Sequence, residues 1–407
     1  MPFDDRDFPD LPRGERAISP HSRRLVAIWL YVVAGMILVM IALGGATRLT
    51  GSGLSIMEWA PFMGTVPPLS EAEWRRLYAL YRLIPQYSLL NEGFGLDGFK
   101  QIFWLEWTHR LWGRLIGLAF LIPLAWFWVT GRLDRRLAPT LVGFFVLGGL
   151  QGAVGWFMVR SGFFPDATAV EPVRLVAHLV LALLLYVAVL WTALTLLPPR
   201  PKLIEAGSAL RALAWLTLGL VGLTIVAGGF VAGLHAGLTY NTFPLMDGRL
   251  VPDGYADLSP FARNLIANIA AVQFNHRLLA SLTALAAAAL MIAAWPNRDR
   301  LGWRAALVGG AVLLQYGLGV TTLLLVVPVG LAVAHQICAT ILLTSVLLVA
   351  HALRHAPSTS PRPMTFPGHG QTEQGTPFYG SVMPSATQGS GAPGSATPGS
   401  VTEDPTP

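Results

Sequence analysis

Eight long apolar segments constrain the fold of this chain more than any other feature. Each has about 20 residues or more, enough for a helix to cross roughly 30 Å of hydrocarbon in a bilayer. Only 12% of the residues are charged, against about a quarter in soluble domains. We therefore predict an all-α polytopic membrane protein, with helices at residues 25–46, 107–130, 138–159, 173–196, 209–233, 268–294, 303–325 and 331–353.

Basic residues indicate the orientation of these helices. They recur in alternate short connections, and connections rich in Arg and Lys normally stay in the cytoplasm. Both termini are then cytoplasmic, and the long connections 47–106 and 234–267 face outward. Residues 1–24 are too polar for a cleavable signal peptide, so we expect the first helix to remain as a signal anchor. The scattered basic residues also argue against nucleic-acid binding, despite a pI near 9.8.

Four sequence motifs occur twice, which predicts an internal duplication. LGGATRLTGSGLS resembles AGGFVAGLHAGLT, and a His-Arg pair, an LQ-containing segment and a VAH segment also recur in the same order. Both copies begin on the same side, so the repeat is parallel. The predicted domains are two four-helix bundles with a cap, a linker and two terminal segments: 1–24 (cytoplasmic), 25–196 (first bundle, with an external cap at 47–106), 197–208 (cytoplasmic linker), 209–353 (second bundle) and 355–407 (disordered, rich in Pro, Ser and Gly).

Histidines at duplicated positions carry the chemical prediction. His109, His178, His276 and His335 all lie near the starts of even-numbered helices, and therefore at one depth near the outer face. Two imidazoles facing each other across a helix bundle can bind haem iron as axial ligands. We therefore predict two haem pockets. Small residues in the third and seventh helices would let helices approach closely: Gly148, Gly149, Gly152, Gly155, Gly317 and Gly319.

Other interpretations of the histidines are less favoured. A single membrane histidine more often joins two helices by a hydrogen bond than binds a metal, but four at duplicated positions favour haem. Zinc fits poorly, because no Asp, Glu or Cys repeats beside them, and the single cysteine, Cys338, excludes a disulfide or a Cys-based site. His235 is interpreted as a helix cap or pocket-edge residue. The remaining histidines are expected to be solvated or interfacial: His21, His351, His355 and His369.

Charged side chains beside the first pair of histidines distinguish the two halves. Glu106 lies one helical turn before His109, whereas the second copy has Gln273 at the equivalent position. Glu106 is either a reactive carboxylate or a boundary residue paired with Arg110 or Arg114. Arg110 and Arg277 could meet haem propionates, and Arg114 is expected to be a packing residue.

The chain resembles the haem A synthases, membrane enzymes that oxidise the C8 methyl of haem O to a formyl group by successive hydroxylations. The resemblance covers about residues 25–353 and rests on the motifs GGATRLTGSGLSIMEWAPFMGTVPPLSEAEW, NEGFGLDGFKQIFWLEWTHRLWGRLIGL, GGLQGAVGWFMV, VAGLHAGLTYNTFPLMDG, VQFNHRLLA and AHQICATILL. The external segment resembles the proteobacterial and mitochondrial branch. A cysteine pair found in some bacterial members is absent here.

The resemblance implies a role for each predicted site residue. His109, His178 and Arg110 would bind the substrate haem O, and Glu106 would be the essential carboxylate. His276, His335 and Arg277 would bind a haem b cofactor. The resemblance also implies an electron donor, which the sequence does not identify. A haem O synthase that would hand over the substrate is a further candidate partner, and the protein could form a homo-oligomer. A diheme electron carrier without enzymatic activity is the main alternative, and a transporter is a second.

Overall fold

A computed structural model describes residues 18–60, 63–197, 207–301 and 303–354. Within these residues, eight helices are long and apolar enough to cross a membrane, so the prediction of an all-α polytopic membrane protein is confirmed. The helices are α1 (Pro20–Leu49), α2 (Gly95–Val129), α3 (Leu137–Ser161), α4 (Pro172–Leu196), α5 (Ser208–Gly233), α6 (Ile269–Ala294), α7 (Trp303–Leu324) and α8 (Val329–Leu353).

Capping residues fix several of the helix ends. The Ser19 side chain accepts a hydrogen bond from the Ser22 N–H before α1, and Asn268 accepts one from the Ala271 N–H before α6. Pro172 begins α4, where its missing N–H costs no helical hydrogen bond.

Most predicted helix ends differ from the structure by a few residues, but α2 begins twelve residues earlier than predicted, at Gly95 instead of 107. This extension is less apolar than a membrane span, and it is stabilised by aromatic packing within the external segment. Phe99 and Phe103 on the extension pack against Trp74, with ring centroids 6.3 and 4.9 Å apart.

The two halves of the chain have the same helix neighbours. In the first half α1 packs against α2 and α4, and α3 packs against both α2 and α4; α5 to α8 repeat this order in the second half. The halves meet where α1 packs against α8 and α4 against α5. One apolar cluster runs through the helices of both halves. Whether each half is a separate four-helix bundle descended from one duplicated unit stays a prediction.

Both long connections join helix ends at one end of the molecule, which we call the long-loop end. The first connection contains two 3-10 turns and the helices Glu71–Tyr81 and Pro85–Leu90. A second apolar cluster, centred on Tyr81 and Phe99, fixes this cap to α2 and α3. The second connection is shorter and has little regular structure beyond short helical turns.

Several sequence predictions lie outside the described residues. They concern the segment before residue 18, most of the linker between α4 and α5, and the tail after residue 354, including His355 and His369. The predicted cytoplasmic location of the termini likewise stays a prediction.

Candidate functional site

The four duplicated histidines share one packing arrangement, in which each imidazole lies against a glycine of the neighbouring helix. A Cβ atom placed on Gly155 would lie 2.8 Å from Cε1 of His178, and one on Gly319 would lie 2.9 Å from Cε1 of His335. Larger residues would therefore push these rings away, because such distances are shorter than van der Waals contact.

The other two histidines have equivalent glycine neighbours. A Cβ atom on Gly228 would lie 3.0 Å from Cε1 of His276, and one on Gly44 would lie 3.3 Å from Nε2 of His109. All four glycines lie in the duplicated motifs, at matching positions of the two copies.

The predicted histidines lie in pairs on helices that share the same neighbours. His109 is on α2 and His178 on α4, and both helices pack against α1 and α3; His276 on α6 and His335 on α8 repeat this arrangement around α5 and α7. All four side chains lie among the helices but keep part of their surface accessible, as residues do when they line internal space. Among the described residues, no third His, Cys, Asp or Glu joins either pair to form a larger metal-binding cluster.

In each pair of histidines, at least one ring nitrogen has no hydrogen-bond partner among the described residues. Nε2 of His178 lies 3.4 Å from Nε2 of Gln151, and Nε2 of His335 lies 3.4 Å from Nε2 of Gln315. The buried Nδ1 atoms of both histidines have no hydrogen-bond partner among the described residues. Nδ1 of His276 lies 3.2 Å from the Thr224 carbonyl, and a proton on Nδ1 would leave Nε2 as a lone-pair donor.

Glu106 is 2% exposed and fixes the start of the cap to α2. Its Oε2 accepts hydrogen bonds from the Ser55 hydroxyl at 2.6 Å and the Ile56 N–H at 2.9 Å. Its Oε1 accepts from Nε and Nη2 of Arg110 at 3.0 and 2.6 Å. Glu106 therefore pairs with Arg110, one of the two partners considered from the sequence, while a catalytic role for Glu106 stays a prediction. This set of contacts, which we call the first latch, ties residues 55–58 to α2.

The second half contains a matching latch without the carboxylate. Arg110 donates to the carbonyls of Ile56 and Glu58 at 2.8 and 3.0 Å. At the equivalent positions, Arg277 donates to the carbonyls of Tyr240 and Thr242 at 2.5 and 2.8 Å. Both arginines therefore bind loop backbone, and their predicted role toward propionates stays a prediction.

Gln273 replaces Glu106 in this second latch and satisfies fewer groups. Its Nε2 donates to the Thr239 carbonyl at 2.7 Å, while its Oε1 has no partner among the described residues. Nε of Arg277, the atom whose counterpart binds Glu106, also has no partner there.

The remaining predicted residues make other contacts. Arg114 donates to the Ala60 carbonyl at 2.8 Å, in agreement with a packing role. His351 packs edge-on against Trp191 with ring centroids 4.8 Å apart, and Cys338 is a buried free thiol. Of the glycines predicted to allow close approach, Gly148 and three others have open space where a Cβ would stand: Gly149, Gly152 and Gly317.

Sequence reasoning alone missed several residues that build this site. Gln151, Gln315 and Gly44 contact the histidines, and Ser55 contacts Glu106. A signal for two of them was available, because Gln151 and Gln315 occupy matching positions of the duplicated LQ motif.

Comparisons with known proteins agree with the resemblance drawn from the motifs. Residues 27–347 match the family model COX15-CtaA, described as cytochrome oxidase assembly protein. The chain is 60% identical to "Heme A synthase" of Granulibacter bethesdensis and 50% identical to "Heme A synthase" of Rhodospirillum centenum, each over 85% of this chain and 92% of the relative. It is 47% identical to "Heme A synthase 2" of Acidiphilium cryptum, over 84% of this chain and 95% of that relative.

Proposed function

The chain belongs to the COX15-CtaA family of cytochrome oxidase assembly proteins, and from this premise we propose that it is the membrane oxidoreductase that converts haem O to haem A. The identities of 47–60% over most of the chain carry this conclusion. The product, haem A, would serve terminal oxidases. The bilayer supplies the surroundings from which an apolar substrate can enter.

We propose that each half holds one tetrapyrrole between its two histidines. His109 and His178 would bind the substrate haem O, with Arg110 at the edge of that pocket. His276 and His335 would bind a haem b cofactor, with Arg277 in the corresponding place. Two imidazoles per pocket suit axial ligation of haem iron and fall short of the four ligands of structural zinc.

Features of the protein support this assignment independently of the family. The Nδ1 atoms of His178 and His335 are buried without partners among the described residues, which an isolated helix contact would not favour. The glycines beside the four rings leave no side chain between each imidazole and the neighbouring helix. Bound haem would supply the redox chemistry, and the protein would supply position and proton handling.

Glu106 is proposed as the group that holds or moves a proton beside the first pocket. Its Oε2 accepts a hydrogen bond of 2.6 Å from the Ser55 hydroxyl, so the carboxylate is held in place as a possible proton acceptor. Its Oε1 is held by Arg110, which fixes the carboxylate in one orientation. The second pocket has Gln273 here, which cannot exchange a proton in this way, and we therefore assign the chemistry to the first pocket.

Glu106→Gln tests the assignment, because the amide keeps the size of the side chain but cannot titrate. We expect the variant to retain haem and to lose haem A formation, as measured by extracting pigments from purified protein and separating haems B, O and A. Gln273→Glu is the matched control in the other half and should still form haem A. Normal haem A formation by Glu106→Gln would remove the catalytic assignment. Wild-type protein that contains only haem B would keep the electron-carrier alternative alive.

The finer aspects of location and partnership are also proposals. The basic connections favour a bacterial inner membrane, with both termini in the cytoplasm and both pockets toward the periplasm. An electron donor is needed, and a haem O synthase is the proposed source of substrate. Association into a homo-oligomer is compatible with this arrangement.

A further inference from the structure

Arg48 lies at the long-loop end of the contact between the two halves. It belongs to the last turn of α1, and its guanidinium donates to the Ala232 carbonyl of α5. Its Nη2 also lies 3.0 Å from Nε2 of His235. Ala232 occupies the position in the second motif copy that Arg48 occupies in the first. Arg48 therefore lies midway between the two halves.

The positive charge of Arg48 is not balanced by a carboxylate among the described residues. Its buried Nε also has no hydrogen-bond partner there. Two other arginines at this end differ, since Arg110 pairs with Glu106 and Arg174 pairs with Glu171, each at 2.6 Å. Arg277 also has no carboxylate partner among the described residues, but its two Nη atoms bind loop carbonyls. A partly buried cation without a counter-charge is costly, so Arg48 retains both a charge and an N–H donor for an anion.

His235 adopts a backbone conformation that favours glycine. Its φ is +53°, and the equivalent residue of the first half is Gly51, with φ +67°. A residue with a Cβ atom is strained in this region. Partial desolvation and, to a lesser extent, the charge of Arg48 lower the pKa of His235. The ring is therefore neutral near neutral pH and accepts a hydrogen bond from Arg48.

Both pockets lie within one helical turn of this pair. Arg48 comes four residues after Gly44, the glycine that faces His109. Ala232 comes four residues after Gly228, the glycine that faces His276. Residues four apart share a helix face, so the cation and the two histidines are reached from the same side of α1 and α5. His235 and Ala232 are exposed, which leaves this place open to a ligand.

We propose that Arg48 and His235 form a carboxylate-binding site between the two pockets, and that the carboxylate belongs to a tetrapyrrole held in one of them. The inference rests on the proposed function. Arg110 uses its guanidinium on Glu106 and on loop carbonyls, so Arg48 is the better-placed free donor. Guanidinium binds carboxylate through charge-assisted hydrogen bonds, which are the stronger kind.

Haemin and haemin dimethyl ester test the proposal, because the ester has the same ring but no free carboxylates. Both are titrated by absorbance into the full-length protein in phosphatidylcholine nanodiscs, as wild type, Arg48→Gln and Arg174→Gln. Backgrounds lacking His109 and His178, or His276 and His335, isolate each pocket. We expect Arg48→Gln to weaken haemin binding about tenfold or more in at least one pocket and to leave the ester unchanged. Arg174→Gln should leave both unchanged.

Two further variants separate this role from a loss of folding. Arg48→Lys keeps the charge and should restore part of the haemin affinity. His235→Gly introduces the residue of the first half, so thermal stability should not fall, while haemin affinity should fall less than in Arg48→Gln.

Three outcomes would decide against the site, the function or both. An equal loss for haemin and its ester, or no loss for either, would overturn the carboxylate site. The carboxylate site would also be overturned if wild type and Arg48→Gln differ in haemin affinity only when phosphatidylglycerol is present, because Arg48 would then bind lipid phosphate. If wild-type protein binds neither compound, the proposed function itself fails.

Discussion

The two latches perform the same structural task with different chemistry. In each, an arginine of an even-numbered helix donates to two carbonyls of the loop that follows the preceding helix. In the first latch Glu106 binds four donors, whereas in the second Gln273 binds one carbonyl and leaves an acceptor unpaired. An amide therefore suffices to hold a loop here. Glu106, the carboxylate of the first half, makes more hydrogen bonds than attachment of the loop requires.

Glu106→Ala should produce the largest difference between the halves. It would remove one partner of a buried ion pair and leave Arg110 without its counter-charge, which costs about 3–5 kcal/mol. Gln273→Ala, the matched change, removes a single neutral hydrogen bond and should cost about 1 kcal/mol. Thermal unfolding of both variants in the same detergent measures the difference, and equal midpoints would show that the carboxylate adds no stability.

Substitution of a glycine beside one of the histidines should have the next largest effect. Gly155→Ala would place a methyl 2.8 Å from His178, and overpacking of this kind costs about 1–3 kcal/mol. We expect weaker haem binding and a changed Soret spectrum. Gly148→Ala on the same helix meets open space and serves as the control. If the two variants bind haem equally well, haem binding does not depend on the position of the His178 imidazole beside Gly155.

The contact between the halves is asymmetric and can be tested by exchange. Gln336 of α8 donates to the Ile41 carbonyl at 2.9 Å and packs on Gly45, whereas its counterpart Leu179 packs on Gly229. Gln336→Leu should cost about 1 kcal/mol through the lost hydrogen bond. Leu179→Met, which preserves volume, should cost less, and thermal unfolding in detergent compares them. A larger loss of thermal stability in Leu179→Met than in Gln336→Leu would show that the Gln336 hydrogen bond does not stabilise this contact.

Loosening of the first loop by acid should be the smallest of these effects. Hydrogen bonds from Arg76 lower the pKa of Glu58, and the second half has Thr242 in its place. A lowered carboxyl pKa adds stability above the ordinary value of about 4.3, and that stability is lost as pH falls through the folded value. Both side chains are 46% exposed, so solvent screening limits the effect to about 0.2–1 kcal/mol.

Proteolysis of the cap between pH 6 and 3 would report this loosening, because a released loop is cut faster. The Glu58→Gln variant should show a flatter pH dependence, since its amide does not titrate. A wild-type profile identical to that of Glu58→Gln would exclude the ion pair as the cause.

Sequence alone determined the membrane fold and the candidate positions of the site. Apolar runs give the eight helices because a bilayer requires satisfied backbone and an apolar surface, both of which are local properties. Duplicated motifs likewise identified His109, His178, His276 and His335, since period and order need no coordinates. The early start of α2 was missed, because aromatic packing with the cap, and not hydropathy, extends that helix.

Only the tertiary structure decided which groups each side chain meets. From the sequence, Glu106 had two possible ion-pair partners, and the fold shows the pair with Arg110. The fold also shows that Arg110 and Arg277 each bind loop carbonyls, while their role toward haem propionates stays a prediction. The fold also brings Arg48 to His235, although these residues are far apart in the chain. Their contact depends on how the two halves meet and on the left-handed backbone of His235, and neither follows from a local pattern.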